Sequence, residues 1–105
     1  MNYTREMIHG ETLYHNHKTK MFYVSKMLAR KLEVISGNPI SVEYVKGLVI
    51  ITPFPDGTRY FLNRKGHEKR FNFRAAELSD KFPDRDRQYF RLVEKRGLNY
   101  ILEEI

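Results

Sequence analysis

The chain has 105 residues, no cysteine and a formal net charge of +6 at pH 7. This length suits a single domain with a modest core. The lack of cysteine excludes disulfides, thiolate zinc sites and thiol catalysis, and is typical of a cytoplasmic protein. No apolar stretch is long enough to span a membrane, and the charged opening, MNYTREMIHGE, lacks the apolar segment of a secretory signal. We therefore expect a cytoplasmic protein.

The basic charge makes nucleic acid a natural partner, because contacts to phosphates supply affinity that does not depend on sequence. Small proteins are also often basic for no specific reason, so charge alone leaves both interpretations open. Seven Tyr and seven Phe residues favour a β-rich core.

The first elements are predicted from apolar spacing. Thr12 to Tyr14 predict an opening strand before the polar run His15 to Lys20, and Met21 to Val24 predict a second strand. Ser25 is a typical helix N-cap, and apolar residues at three- and four-residue spacing predict a helix from Ser25 to Glu33. The predicted apolar stripe consists of Val24, Met27, Leu28, Leu32 and Ile35.

A hairpin follows the helix. Gly37-Asn38-Pro39 breaks the helix and turns the chain. Ile40 to Val45 alternates between apolar and polar residues, as expected for a strand with one buried face. Lys46-Gly47 suits a two-residue hairpin turn, because Gly accepts the positive φ that such turns need. Leu48 to Thr52 is the predicted return strand.

This order of strand, short helix and hairpin, in the segments FYVSKMLARKLEV, SGNPISVEY and VKGLVIITP, resembles the AbrB, MazE and SpoVT family. The resemblance needs no gap, and it implies a swapped-hairpin β-barrel that binds DNA. Three departures stand out. Ser25 occupies the place of a family Pro, Glu33 that of a family Gly, and Lys20-Met21 that of a family Gly-Arg.

The second half repeats the same order of elements after a strong turn signal at Pro53 to Gly57. An offset of fifty residues places Leu28 on Leu78 and Gly47 on Gly97. The predicted elements are a strand at Thr58–Asn63, a turn at Arg64–Gly66, a strand at Arg70–Phe73, a helix stripe of Phe73, Ala75, Leu78 and Phe82, an exposed loop at Asp84–Arg87, and a hairpin of Tyr89–Lys95 and Leu98–Glu104 about Arg96-Gly97.

We predict one mixed β-rich (α+β) domain over residues 1–105, with two short helices. The repeat favours two pseudo-repeats, 10–54 and 55–105, that would form a swapped-hairpin pseudo-dimer within one chain. Chance recurrence of a hairpin and a helix is the alternative, and a homodimer of the chain also stays open.

Candidate DNA contacts come from charge and from the resemblance. The densest basic segment runs from Arg64 to Arg74. In the resembled family the strand-loop region and the following helix carry arginines that reach DNA, which implies a role for Arg30 and, in place of Met21, for Lys20. The alternative is a solvated charged face. The predicted DNA-binding residues are Lys18, Lys20, Arg30, Lys31, Arg64, Lys65, Lys69, Arg70 and Arg74.

The sequence contains no motif of an enzyme. It lacks a Gly-rich phosphate loop, a Gly-x-Ser-x-Gly elbow and a His-Glu-x-x-His helix. The acid pairs Glu77/Asp80 and Asp84/Asp86 are interleaved with basic residues and suggest surface ion pairs. His15 and His17 are spaced like metal ligands on a strand, but no third ligand is near, and His67 is expected on the surface. We predict neither catalysis, nor a metal, nor a cofactor.

Three functions remain as hypotheses. The first is a DNA-binding transcriptional regulator or antitoxin-like protein. The second is a small protein-binding inhibitor or interaction module, encoded by a host or a phage, that does not bind nucleic acid. The third is a barrel that binds RNA or single strands through exposed aromatic residues such as Tyr60, Phe71 and Phe73.

Overall fold

The computed structural model describes residues 10–64 and 70–105. These residues form an eight-stranded antiparallel sheet, curled into a nearly closed barrel, and two short helices. The predicted β-rich α+β architecture is confirmed. The strands are β1 (Thr12–Asn16), β2 (Met21–Ser25), β3 (Pro39–Val45), β4 (Leu48–Pro53), β5 (Tyr60–Phe61), β6 (Arg70–Arg74), β7 (Arg87–Arg96) and β8 (Asn99–Glu104), and the helices are α1 (Lys26–Leu32) and α2 (Ala76–Ser79).

The strands follow the order β5-β3-β4-β8-β7-β1-β2-β6. The two end strands meet through one bridge, in which the backbone N–H groups of Asn63 and Asn72 each donate to the other's carbonyl oxygen, at 2.8 and 2.7 Å. This bridge brings the open ends of the sheet together. Within the part of the chain that the structure describes, no helix has the length and apolar character needed to cross a membrane.

The two halves of the chain contribute alternately to the sheet. The order strand, helix, strand, strand occurs as β2-α1-β3-β4 and again as β6-α2-β7-β8. Corresponding strands of the two halves pair with each other, with Tyr23 opposite Asn72 and Ile50 opposite Ile101. Those two pairs lie on opposite sides of the ring of strands.

The core is built from the inward face of each strand, as the period of two requires. Phe22 and Val24 of β2 and Ile51 of β4 are completely buried. The helix positions expected in the core, Leu28 and Leu32, are also buried. Burial of such side chains is the main source of the stability of a small domain.

The predicted helix stripe is partly wrong. Met27 and Ile35 are exposed, and Ala29 is buried instead. The helix faces the core with Leu28, Ala29 and Leu32, so Met27 points away from it, and Ile35 lies beyond the end of the helix. The four residues expected in the cores of the two units, Leu28, Leu32, Leu78 and Phe82, are all buried.

Ser25 begins α1 and also connects it to β1. Its Oγ accepts hydrogen bonds from the backbone N–H groups of Leu28 and Thr12, at 3.1 and 3.0 Å, and donates to the carbonyl oxygen of Gly10 at 2.7 Å. The predicted N-cap is therefore confirmed. At the other end Glu33 is left-handed, with φ of 58°, and the N–H of Val34 donates to the carbonyl of Ala29, as in a Schellman motif.

The strand β1 is longer than predicted. The run from His15 was expected to leave the strand, but β1 continues to Asn16 and the His15 side chain is completely buried. Because side chains alternate along a strand, His15 follows Leu13 into the core. In contrast, the strand expected at Thr58–Asn63 is shorter, with regular pairing only at Tyr60–Phe61.

The two hairpin turns differ. In the first, Lys46 and Gly47 both have positive φ, of 51° and 83°, as a type I′ turn requires. The second turn lies at Gly97-Leu98, one residue later than predicted, and Gly97 supplies the positive φ of 59°. Lys46 is therefore equivalent to Gly97, and the offset of fifty residues does not hold through the hairpins.

Candidate nucleic-acid interface

The outer face of β7, β1, β2 and β6 carries a row of three tyrosines. Tyr14 of β1 lies opposite Tyr89 of β7 and opposite Tyr23 of β2. On β7, Arg87 and Arg91 lie two residues before and two residues after Tyr89. On β6, Arg70 and Arg74 lie on either side of Asn72, which is opposite Tyr23. We call this surface the tyrosine–arginine wall, and its residues are Tyr14, Tyr23, Tyr89, Arg70, Arg74, Arg87 and Arg91.

The tyrosine rings of the wall are stacked on one another. The Tyr14 ring centroid lies 4.6 Å from that of Tyr89 and 5.3 Å from that of Tyr23, with interplanar angles of 14° and 18°. Tyr14 and Tyr89 are each only 8% exposed. Ring pairs at these separations stabilise each other beyond their buried area. The row is therefore a rigid base for the arginines beside it.

Arg70 lies over this tyrosine row. Its Cζ is 4.4 Å from the Tyr23 ring centroid and 5.4 Å from that of Tyr14, and the side chain is exposed. A guanidinium that rests on an aromatic ring keeps its charge, and its in-plane N–H groups can still donate to a phosphate. Arg70 is thus held in place by the rings, and no carboxylate among residues 10–64 and 70–105 forms an ion pair with it.

The other arginines mark the remaining corners of the wall. Arg74 lies opposite Met21, and Arg87 lies opposite Asn16, which itself lies opposite Met21. Three strand spacings separate Arg87 from Arg74, or about 14 Å. That distance is comparable with the width of the DNA major groove, about 12 Å.

The fourth corner of the wall is less positive. Arg91 forms an ion pair with Glu103, with 3.0 Å between Nη2 and Oε1. The ion pair reduces the positive charge that Arg91 presents to a ligand. The positive potential of the wall is therefore stronger near β6 than near Arg91.

Three of the predicted basic residues meet at one end of β2 and β6. Lys20 immediately precedes β2, and its carbonyl oxygen accepts from the N–H of Ala75, next to Arg74. Its Nζ lies 3.4 Å from the Asp80 carboxylate. Lys18 is exposed in the preceding turn. Lys18 extends the positive charge of the wall beyond Arg74, whereas Asp80 reduces the charge that Lys20 presents to a ligand.

The remaining predicted residues lie elsewhere. Arg30 and Lys31 are exposed in the last turn of α1, and Lys31 lies 4.0 Å from Glu11. Arg64 follows β5, with its Cζ 5.8 Å from the Phe71 ring. They are not part of the wall. Lys65, Lys69 and His67 lie outside the described residues.

Sequence reasoning missed Arg87 and the three tyrosines as members of a surface. The alternation of Arg87, Tyr89 and Arg91 in the second half was a usable signal, because these residues share one face of a strand. Their meeting with Tyr14 and Tyr23 depends on the pairing of β1 with both β7 and β2, which local patterns do not define.

The aromatic residues proposed for single-strand binding are not available as an exposed set. Phe71 and Phe73 are buried, and Tyr60 stacks on Phe73 with 5.0 Å between centroids. That part of the prediction is wrong, because β6 directs these two phenylalanines inward and its arginines outward.

The rings of the two histidines lie edge to face, with 5.5 Å between their centroids, but their nitrogens contact different partners. His15 Nε2 lies 2.7 Å from Ser79 Oγ, and Nδ1 lies 3.4 Å from Gln88 Oε1, all of them buried. His17 Nε2 lies 3.5 Å from Asp84 instead. Among residues 10–64 and 70–105 there is no group of three or more side chains that could hold a metal.

Burial controls the chemistry of His15. It lowers the pKa of this imidazole from 6.5 to about 4, with smaller contributions in the same direction from His17 and Lys20, while the hydrogen bond to Gln88 opposes the change. His15 is therefore neutral at pH 7. Since His15 and Ser79 are both 0% exposed, no substrate reaches this pair, and its role is structural.

The side of the barrel opposite the wall has a different character. Ile50 and Ile101 pair at its centre, and Glu43 and Glu94 lie opposite them on the flanking strands. Leu48 and Val45 are exposed nearby. We call this surface, formed by Glu43, Val45, Leu48, Ile50, Glu94 and Ile101, the apolar–acidic face.

Comparisons with protein-family models, with curated proteins and with solved structures give no match for this chain.

Proposed function

We propose that this protein binds duplex DNA through the tyrosine–arginine wall and the adjoining Lys18 and Lys20. The observation that carries the proposal is the placement of Arg70, which lies 4.4 Å from the Tyr23 ring and belongs to a set of arginines on β6 and β7, the outer two of four adjacent strands. Cations held on a rigid sheet lose little conformational entropy when they contact phosphates.

Duplex DNA is favoured over single strands because of the state of the tyrosines. Binding of single strands relies on aromatic faces on which bases can stack. The faces of Tyr14 are covered by Tyr89 and Tyr23. The wall can therefore offer charge and hydroxyl edges, but not a stacking platform, which suits contacts to a phosphate backbone.

The biological role that we propose is that of a transcriptional regulator or an antitoxin-like protein with a swapped-hairpin barrel. Two backbone conformations support the resemblance to the AbrB, MazE and SpoVT family. Lys20 and Glu33 occupy positions at which that family has Gly, and both have positive φ, of 62° and 58°. The pairing of β2 with β6 and of β4 with β8 supports two interleaved units in one chain.

A second candidate function is that of a protein-binding inhibitor or interaction module. The apolar–acidic face favours it, because exposed Val45 and Leu48 beside half-buried Ile50 and Ile101 form an apolar surface of the kind that marks protein contacts. The basic wall would then have no nucleic-acid role.

A titration of the full chain with fluorescent random-sequence duplex DNA tests the DNA proposal. Anisotropy is measured at about 50 mM and about 200 mM salt, and about four phosphate contacts predict roughly a hundredfold weaker binding at the higher concentration. The same titration with a single strand is expected to give weaker binding.

A matched pair of variants locates the surface. Replacing both Arg70 and Arg74 by Ala should reduce the slope of log affinity against log salt by about two. Replacing Lys95 and Arg96 by Ala removes the same charge from the tip of the β7–β8 hairpin and should leave the slope nearly unchanged. Absence of binding at low salt, or equal effects of both pairs, would overturn the proposal and favour the protein-binding module.

A further inference from the structure

Two exposed phenylalanines lie on either side of Pro39. Phe61 of β5 is opposite Pro39, and the N–H of Phe54, just after β4, donates to the carbonyl oxygen of Pro39 at 3.0 Å. The Phe61 side chain is 53% exposed and that of Phe54 is 57% exposed. Neither ring stacks on another aromatic ring within residues 10–64 and 70–105. We call Phe54, Pro39 and Phe61 the phenylalanine platform.

The backbone of Phe54 is held in an unfavourable conformation. Its φ is 48°, in the left-handed region, which residues with bulky side chains rarely adopt. Because the ring is more than half exposed, burial offsets little of this cost. Residues in such conformations are concentrated at sites that contact ligands, which makes Phe54 a candidate contact residue.

The phenylalanine platform adjoins the tyrosine–arginine wall across the seam between β5 and β6. The bridge between Asn63 and Asn72 closes this seam in antiparallel register. Two residues away on each strand, that register places Phe61 beside Arg74. Leu62 is completely buried, and side chains alternate along a strand, so Phe61 faces outward. Arg74 is exposed on the same surface, and the platform therefore continues the wall beyond β6.

The charges around the platform nearly cancel. Arg74 and Arg59 are exposed, and the Arg59 guanidinium donates to the carbonyl oxygens of Gly57 and Asp56, both at 3.4 Å. The carboxylates of Asp56 and Glu77 are also exposed and offset these two positive charges. Recognition at the platform therefore depends on the faces of its rings rather than on an excess of charge.

An exposed aromatic ring beside an arginine suits an unpaired base. Every base has a π face that stacks on an aromatic ring, whatever the sequence, and Arg74 is in place to contact a phosphate of the same strand. Two strand spacings, about 10 Å, separate the backbones of Phe61 and Phe54, which is about three steps of a stacked DNA strand. A peptide can also contact such rings, but the continuity with the arginines of the wall favours nucleic acid.

We propose that the phenylalanine platform binds unpaired bases of a DNA strand that continues from the duplex at the wall. The preferred ligand is then a junction between duplex and single-stranded DNA, whose single strand crosses the seam from Arg74 to Phe61. The duplex part of this inference rests on the proposed function, whereas the stacking of bases on Phe61 does not.

A fluorescent variant tests the stacking. The chain contains no tryptophan, so Phe61→Trp introduces one indole, which a stacked base quenches. Three ligands are titrated: a blunt random-sequence duplex, the same duplex with an overhang of about six thymines, enough to reach both rings, and the thymine strand alone. We expect the overhang and the thymine strand to quench the indole and the blunt duplex to have little effect. An overhang that leaves the fluorescence unchanged would overturn the proposal.

Anisotropy titrations at about 50 mM salt measure the gain in affinity. The duplex with the overhang should bind at least about fivefold more tightly than the blunt duplex. Replacing both Phe54 and Phe61 by Ala should abolish this difference, and thermal melts check that the variant is folded. Replacing Met27 and Leu98 by Ala removes two other exposed apolar side chains and should preserve it. A preference for the overhang that survives in the phenylalanine variant would contradict the proposal.

The blunt duplex separates this inference from the proposed function. If the blunt duplex binds but the overhang adds neither affinity nor quenching, the platform is refuted and duplex binding at the wall stands. If the blunt duplex does not bind but the thymine strand quenches the indole, the proposed function and the junction are refuted, and base stacking on the platform is supported.

Discussion

Lys20 and Glu33 bracket β2 and α1, and both hold the left-handed backbone conformation, with φ of 62° and 58°. This conformation costs a residue with a Cβ about 1–2 kcal/mol. Glycine avoids that cost, although it loses more backbone entropy on folding. Two sites that favour glycine thus carry charged residues in this protein.

Glu33→Gly is therefore expected to raise the free energy of unfolding, by about 0.5–1 kcal/mol after the entropy loss is included. Urea denaturation followed by circular dichroism measures it. Arg30→Gly is the matched control, because Arg30 lies within α1. Glycine inside a helix should lower the free energy of unfolding of this variant by about 1 kcal/mol. Destabilisation by both changes would show that the end of α1 does not favour glycine.

The buried stripe of α1 gives a second prediction. Leu28→Asp should unfold the chain, because it places a carboxylate in a position that is 0% exposed with no partner. Met27→Asp is its neighbour and control, since Met27 is 46% exposed and should change stability by less than about 1 kcal/mol. Thermal melts of both variants compare the two sites. A folded Leu28→Asp variant would contradict the orientation of α1.

Much of the first half could be predicted from local patterns, because its signals lie within a few residues of one another. Ser25 and the turn at Lys46-Gly47 are examples. His15 could not be placed in the same way, since a buried imidazole needs hydrogen-bond partners, and those of His15, Ser79 and Gln88, are distant in sequence. The candidate site was predicted in part: Arg70 and Arg74 came from charge, whereas Arg87 joins them only through strand pairing.

Ser25 gives a third prediction. Ser25→Ala removes the N-cap of α1 and also leaves the N–H of Thr12 without the acceptor that it has at 3.0 Å. The expected loss is about 2–3 kcal/mol, more than that of a cap alone. Ser36→Ala, at an exposed position, should change the free energy of unfolding by less than about 0.5 kcal/mol. A loss near 1 kcal/mol or less for Ser25→Ala would mean that the bond to Thr12 contributes little.

His15 makes stability depend on pH. Its folded-state pKa of about 4 lies below the unfolded value of 6.5, so the unfolded chain takes up the proton first. The stability that the neutral ring provides is fully present above pH 6.5 and is lost as the pH falls toward 4. The total loss from this group is about 3 kcal/mol. Urea denaturation at a series of pH values measures it.

Other groups also titrate over this range, so two variants isolate the contribution of His15. His15→Phe keeps a ring against Phe22 but cannot take up a proton, and its loss of stability between pH 6.5 and 4 should be smaller by about 3 kcal/mol. His17→Asn should retain most of the wild-type loss. Equal pH dependence of the wild type and His15→Phe would show that His15 titrates normally in the folded protein.

The alternation of strands from both halves of the chain has a consequence for how the protein folds. β1 pairs with β7, β2 with β6 and β4 with β8. Each of these pairings joins residues that are about fifty or more positions apart in the sequence. Such a topology folds slowly, in milliseconds to seconds. The ribosome adds about 5–20 residues per second. The first half of the chain is therefore synthesised with unpaired strand edges before the strands that pair with them exist. A chain cut in the loop after β4 should therefore give two pieces that are unstructured alone and that fold only on each other.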